Sequence, residues 1–396
     1  MIIDGKRSLA HVEKIAWVKP IEESDDIELV GVLGWTCIGK IGEFNEGDLC
    51  VYIEIDSKVP KKEWSESLRD EDFEIKTKKH SKFNVITQGL ALPVDIFDVE
   101  IPRKVGSDVT DLLEIKYSNP ERNLVEESET SSQSSEELFD SPIEKGLMKR
   151  KWGKSLMSSV FGLDKEKSSD FPTKFPYISN QDIEYFENIP EILKDKSPFI
   201  RTQKCDGIAA TYILEKVNPR SSKYEFYVCS HNSRVFEEDY PIDDEANPYW
   251  EMDDIYNIEA KLKHYLENHE DCDYVCWQGE ICGPEIKENP QNLDENHLFC
   301  FQMIDSRGIL EISEAKIIWD LYEMESVPVD FKNYILPDDF EEFKLSADKN
   351  YDPRVCDGQT GCEMKGWVYY KANDPSFAFK NISRRYLLKR DSDAEN

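Results

Sequence analysis

The stretch Phe199–Leu214, FIRTQKCDGIAATYIL, runs from an apolar approach through Lys204, Asp206 and Gly207 into a second run of strand-type residues. It reads as two extended segments joined by a tight turn, and the turn carries a lysine with a carboxylate two residues on. A lysine that attacks phosphorus must be deprotonated at neutral pH, which requires burial or nearby positive charge to depress its pKa. A bound metal and a triphosphate held in line would then supply the electrostatics. In that setting Asp206 meets the metal through water, or a ribose hydroxyl, and Gly207 lets the chain turn closely beneath a nucleotide. The bland alternative is a surface lysine at a strand end, and a K-x-D-G match by itself does not exclude it.

Outward from this turn, residues 171–396 read as a mixed α+β body built on antiparallel strands. The runs AATYIL, YEFYVCS, YVCWQGEICG, HLFCFQMID and GWVYYKAN are strand-like, while AKLKHYLENH and EAKIIWDLYEM carry apolar residues at helical spacing. NQDIEYFENIPEIL is read as a further helix capped by Asn180. Ahead of this body, residues 1–115 hold short β-type runs, IELVGVLGWTCIGKI, DLCVYIEID and NVITQGLALPV, bounded by turns such as Asn45-Glu46-Gly47-Asp48 and Gln88-Gly89. Short strands with little helix between them suggest a small barrel, of which an OB-like fold is one candidate. Residues 116–170 are expected to link the two bodies: EESETSSQSSEELFD is acidic and Ser-rich, and MKRKWGK (Met148 to Lys154) is either a solvated tether or a nucleic-acid contact.

The chain has 396 residues, 39% of them hydrophobic and 11% aromatic, enough to bury more than one core. A formal charge of −32 excludes wholesale coating of nucleic acid, because bulk attraction to phosphate has the wrong sign; any such site must be a local basic patch. KTKKHSK (Lys76 to Lys82) is one candidate, and the tail KNISRRYLLKR (Lys380 to Arg390) another. Ten cysteines lack framework spacing, and the N-terminal stretch has no long apolar core of a signal peptide, so an intracellular protein, cytoplasmic or nuclear, is expected. No apolar run approaches the roughly 18 residues that span a bilayer. Cys272, Cys276, Cys282 and His269 offer a zinc reading, without a close C-x-x-C pair to support it; isolated buried thiols are the plainer account.

After the Lys204 turn come WQGEICGPEIKENP (Trp277 to Pro290), HLFCFQMIDSRG, CEMKGWVYY and SFAFKNISRRYLLKR, in that order. With Lys204-Cys205-Asp206-Gly207 they resemble the covalent nucleotidyltransferases, and within them the ATP-dependent RNA ligases of the Deinococcus–Naegleria type, which carry an OB domain ahead of the catalytic domain. The resemblance extends over most of the chain, including ITQGLALP, FPYISNQDIEYFENIP and the final YLLK. It implies an OB-like barrel followed by an antiparallel-sheet nucleotidyltransferase domain. Too little sequence follows Lys380 here for the C-terminal OB domain of DNA ligases and capping enzymes.

The resemblance implies that Lys204 is the nucleophile, taking AMP from ATP, passing it to an RNA 5′-phosphate and letting a 3′-hydroxyl displace it. It implies nucleotide contacts from Gln203, Asp206, Gly207, His231, Asn232, Glu280, Phe301 and Lys380, with Phe301 stacking on adenine or, alternatively, packing in the core beside Phe299. Magnesium or manganese is implied, on Asp206, Glu280 and Glu363. The implied partner is RNA, as a nicked duplex or RNA:DNA hybrid, with no membrane and with the protein a monomer. Three positions depart from the pattern: His231 stands where arginine is usual, Lys365 replaces a glutamate before Gly366, and Ala378 replaces a lysine. Glu363, two residues before Lys365, would reach the metal only through a local bulge. These departures leave open a degenerate ligase-like protein that binds nucleotide or RNA without joining ends. A simple OB-type RNA-binding adaptor is a third class.

Overall fold

The computed structural model describes residues 1–3, 6–22, 24–118, 183–218, 222–231, 234–237, 247–284 and 286–393. The acidic and basic stretches between 126 and 154, together with Asn180 and Asn232, lie outside the described residues.

In the front body, alternating apolar residues build β1 (Ala10–Pro20), β2 (Ile27–Val32), β3 (Trp35–Lys40), β4 (Leu49–Ile53) and β5 (Leu90–Pro93). They form one antiparallel sheet in the order β5-β4-β1-β2-β3. The sheet curls until Gln88 N–H donates to Thr36 C=O at 2.8 Å, joining the approach to β5 to the far edge strand. Leu33, with φ of 53°, makes the tight turn that divides β2 from β3. Lys116–Tyr117 pairs with Ser57–Lys58, so the front body continues just past the boundary read at 115.

The back body has two sheets. One has the order β6-β15-β14-β7-β13, from β6 (Glu184–Tyr185), β7 (Phe199–Gln203), β13 (Val329–Tyr334), β14 (Gly366–Lys371) and β15 (Asp374–Ile382). The other has the order β9-β8-β10-β11-β12, from β8 (Ile208–Lys216), β9 (Tyr224–Cys229), β10 (Tyr274–Cys282), β11 (His297–Asp305) and β12 (Gly308–Ile309). All pairings are antiparallel except β6 with β15. Strand β8 is apolar on both sides, as a covered strand must be: Ala210, Tyr212 and Leu214 enter the main core, and Ile213 packs with Cys229, Cys276 and Ile304 on the other face.

Helix α1 (Pro248–Tyr256) starts behind Asn247, whose side chain accepts from Tyr249 N–H at 3.0 Å. Helices α2 (Ile258–Asn268) and α3 (Ile312–Leu321) bury Ile258, Leu262, Tyr265 and Leu266, and Ile312, Ala315 and Trp319, over the main core. Two further helices are α4 (Phe340–Leu345) and α5 (Arg384–Asp393). The helix expected over NQDIEYFENIPEIL does not form in its described part. Residues 184–194 make strand β6 and two 3₁₀ turns, Phe186–Asn188 and Pro190–Lys194. Pro190 supplies no N–H and holds Ile189 at φ of −131°, and the neighbours Tyr185 and Phe186 must enter different cores.

Candidate active site

The link Lys204–Gly207 carries the chain from the end of β7 in one sheet to the start of β8 in the other. Its backbone is held on both sides: Lys204 N–H donates to Gly366 C=O at 2.8 Å, and Lys204 C=O accepts from Tyr351 O–H at 3.0 Å. Cys205 is turned into the core beside Phe199 and Phe299. A Cβ on Gly207 would lie 2.0 Å from the Ile281 carbonyl oxygen. The glycine is therefore required by the closeness of β10, rather than by a nucleotide alone as the sequence suggests. Its N–H donates to Glu280 Oε1 at 3.0 Å.

Around this link the side chains form a charged cluster. Asp206 Oδ1 accepts from Lys287 Nζ at 3.0 Å and from Lys365 Nζ, and Asp206 Oδ2 accepts from Tyr386 O–H. With its side-chain amide oriented to satisfy both groups, Gln291 donates to Asp206 C=O at 3.2 Å and accepts from Asp206 N–H at 3.1 Å. Burial pulls the Asp206 carboxyl upward, but the Lys365 and Lys287 charges and the hydrogen bonds from Lys365 and Tyr386 outweigh it and hold the group well below the usual carboxylate range. Burial lowers the Lys204 pKa, Lys365 and Lys287 lower it further, and Glu280 and Asp206 oppose them. Glu280, buried, is kept ionised against its desolvation by Lys204, Lys287, Lys365 and the Gly207 N–H. Desolvation disfavours the Lys365 ammonium, and Asp206 and Glu280 reverse that and raise its pKa. The arrangement presents Lys204, an amine of lowered pKa, beside the ammonium groups of Lys287 and Lys365, with Asp206 bound by both of these and Glu280 bound by the Gly207 N–H.

The remaining expected residues are placed as follows. Gln203 is buried, and its side-chain oxygen accepts from Asp352 N–H at 2.9 Å. Phe301 is the extra residue of a β-bulge: Gln278 pairs with Gln302 and Gly279 with Cys300, leaving Phe301 between them and half-buried, whereas Phe299 is fully buried. Both rings pack against the same core cluster, so they keep the shared face that alternation gives them, and the alternation breaks only beyond Phe301. His231, half-buried, lies two residues beyond the Thr211–Cys229 pair, at the end of the sheet from which Ile208 and the nucleophile's link emerge. Lys380, on β15 opposite Val368, is buried with its ammonium 3.9 Å from the centre of the Tyr185 ring.

Glu363 is not gathered with Asp206 and Glu280. It precedes β14, and its carboxylate accepts from Arg385 at 2.7 Å. The zinc reading fails as well: Cys272 lies in the main core, Cys276 on the opposite face of its sheet, Cys282 in the core beside Cys205, and His269 stacks on Tyr265. Among the described residues no three or more His, Cys, Asp or Glu side chains are assembled to hold a metal ion. Asp206 has both oxygens engaged by cationic or hydroxyl donors, so a divalent cation does not fit the cluster as it stands. With Lys204 neutral, two ammonium groups and two carboxylates stand at the link, and a protonated Lys204 adds a third positive charge. Lys287, Tyr386 and Gln291 are the members of the cluster that sequence reading did not single out. Lys287 has φ of 52°, in a loop whose Asn289 and Asn292 are also left-handed, and this fold-back delivers it to Asp206; the Asn and Pro of KENPQN were the available signal.

A family model described as an OB-fold domain matches residues 9–94. No curated protein matches the chain. Among solved structures, a Naegleria gruberi RNA ligase mutant with ATP and Mn is similar at a TM-score of 0.72 and 23% identity, over 97% of this chain and 99% of that one. An apo mutant of the same ligase gives 0.72 and 24%, over 98% and 99%, and the ligase with PPi gives 0.72 and 23%, over 98% and 100%. Among the described residues no helix is long and apolar enough to cross a membrane. Nearly end to end, then, the chain has the α+β fold of Naegleria gruberi RNA ligase, an OB-fold ahead of a sheet-rich body that carries the Lys204 link.

Proposed function

We propose that this chain is an ATP-dependent RNA ligase that joins 3′-hydroxyl to 5′-phosphate ends through a lysyl-AMP intermediate at Lys204. The observation that carries the reading is Lys204 itself, held in the link between two sheets with its pKa lowered by burial and by Lys365 and Lys287. As the neutral amine, Lys204 Nζ attacks the α-phosphorus of ATP. The N–P bond forms, the bond to the bridging oxygen breaks and pyrophosphate leaves. The AMP then passes to an RNA 5′-phosphate, and the 3′-hydroxyl of the neighbouring strand displaces it. Phe301 is assigned to the adenine ring, Gln203, His231 and Asn232 to the nucleoside side, and Glu280 to the ribose. The phosphates are assigned to Lys287, Lys365 and Lys380. Asp206 acts here by positioning Lys365 and Lys287.

The front body, read as residues 1–115 and extended by the Lys116–Tyr117 pairing, is assigned to grip a nicked RNA duplex or RNA:DNA hybrid, 171–396 to the chemistry and the stretch between them to the linker, in a monomer. ATP and RNA as substrates carry with them an intracellular place for the reaction. The test is incubation with α-labelled ATP followed by peptide mapping. An acid-stable, hydroxylamine-sensitive AMP adduct on the Lys204 peptide, lost in Lys204→Ala, is expected; label retained in that variant overturns the assignment. Four nicked duplexes with ribose or deoxyribose on either side of the nick then test the sugar, and sealing should require ribose on the 3′-hydroxyl side. The ion pair that Lys365 makes with Asp206 favours one second reading, a protein that binds nucleotide but does not join ends. Adduct without any sealing would select it.

A further inference from the structure

We propose that Lys365 supplies, as a fixed ammonium, the positive charge that a divalent cation would otherwise place between Asp206 and Glu280, so that the first AMP transfer needs no metal ion held by these carboxylates. The proposal rests on the ligase reading above and concerns the same cluster. Its basis is the placement of Lys365. Its C=O accepts from Ser383 N–H at 2.9 Å, and the next residue, Gly366, accepts from the nucleophile's own N–H at 2.8 Å. Gly366 has φ of 154°, and a Cβ there would lie 2.3 Å from the Asn381 carbonyl oxygen. The backbone that carries Lys365 is thus pinned to the turn that carries Lys204.

From that position its ammonium binds Asp206 Oδ1 together with Lys287, while Tyr386 occupies Oδ2. The side chain of Lys365 is 18% exposed and that of Asp206 9%, so the pair is largely screened from water. A metal ion seeking Asp206 would have to displace an ammonium or the Tyr386 hydroxyl and sit beside the remaining lysine charge. A triphosphate meets the opposite situation. In the transfer, the neutral Lys204 Nζ bonds to the α-phosphorus, pyrophosphate departs with the electron pair of the broken P–O bond, and the excess proton on nitrogen goes to solvent. The negative charge that develops on the departing phosphate oxygens is met by lysine ammonium groups that need no recruitment.

Two measurements on the full chain test this. The first titrates Mn²⁺ alone and reads the free ion by electron paramagnetic resonance. The wild type should show no saturable site that depends on Asp206, and Lys365→Glu should gain one that is lost again when Asp206→Asn is added. A Mn²⁺ site in the wild type that Asp206→Asn abolishes overturns the proposal. The second follows AMP adduct formation in EDTA and in Mn²⁺. The wild type in EDTA should keep its rate to within about tenfold, Lys365→Met should lose about tenfold or more in EDTA, and Lys365→Arg should retain the metal-free reaction. Strict Mn²⁺ dependence of the wild type, or an unaffected Lys365→Met, overturns it. Complete absence of adduct in every condition would sink the ligase reading instead, and the Mn²⁺ titration would still decide whether Lys365 fills the cation's place.

Discussion

Lys204 is half-buried beside two like charges, and only its neutral form is a nucleophile, so adduct formation should rise with pH and level off above its lowered pKa. Lys287 is one of the groups that lower that pKa, and its side chain is 42% exposed, so its removal spares the fold. Lys287→Met should therefore move the rate profile to higher pH, with a several-fold loss of rate near neutrality; an unmoved profile would remove Lys287 from the nucleophile's environment. The same shift has a sign in stability. Because the folded pKa lies below the ordinary lysine value of 10.5, the folded protein binds fewer protons there, and Lys204 costs stability at neutral pH that fades as pH rises toward 10.5. Lys204→Met should accordingly melt above the wild type at neutral pH while making no adduct, which calorimetry across pH would check. Of this chemistry, the lysine, Asp206 and Glu280 were readable from their motifs. Lys287 and Tyr386 were not, because each reaches Asp206 from a loop or helix far along the chain.

At the level of strands and turns, two phenylalanines of β11 share one face and one core cluster but differ in burial, Phe301 being the extra residue of the β-bulge. Phe299 is 2% exposed and stacks on His297 with ring centres 5.7 Å apart, whereas Phe301 is pushed out of register and half-buried. Phe299→Ala should cost about 3–5 kcal/mol in urea unfolding, as a large ring lost from a core. Phe301→Ala should leave most of that stability and weaken ATP binding by about 1–3 kcal/mol, the range for an aromatic that stacks on a base. The reverse ranking would place Phe301 in the core and remove it from the nucleotide. The strands β8 to β11 and β14 and helices α2 and α3 follow from apolar runs and helical spacing that are plain in the sequence, whereas the order of the strands comes only from the structure. The bulge is not plain, since one inserted residue leaves composition and spacing unchanged. Nor is the pair of 3₁₀ turns after Tyr185, where tertiary packing into two cores overrides an apolar pattern that suits a helix.

The two bodies share a core. Ile15, Val30, Trp35 and Tyr52 of the front sheet pack with Tyr185, Ile382, Tyr386 and Leu387 of the back. Trp35 donates to the Asn188 side chain at 2.6 Å, and Asn188 donates to Glu54 at 2.6 Å. A cut at residue 115 would therefore expose apolar surface, and the back body alone is not expected to retain the first step of the reaction. Helix α5 is the tie. One face sets Tyr386 on Asp206, and four residues on it sets Arg390 on Asp56 of the front body at 2.7 Å, while Asp391 accepts from Thr77 N–H at 2.7 Å. The tail read as a clamp for RNA thus spends its charge within the protein, with Arg384 on Glu341 and Arg385 on Glu363. In the Lys76 to Lys82 patch, Lys76 pairs with Glu74 and Lys78 with Glu71, leaving Lys79 and Lys82 as its exposed lysines. If α5 couples the front body to the nucleophile's turn, breaking the distant pair must be felt at the site. Asp56→Ala and Arg390→Ala should each lower stability by about 1 kcal/mol, a modest value because Arg390 is 36% exposed and Asp56 25%. Each should also slow nick sealing, and the double variant should be no slower than either alone, as a double-mutant cycle on one interaction requires. Additive losses in the double variant, or sealing unchanged in all three, would show that the front body and the Lys204 turn work without this helix between them.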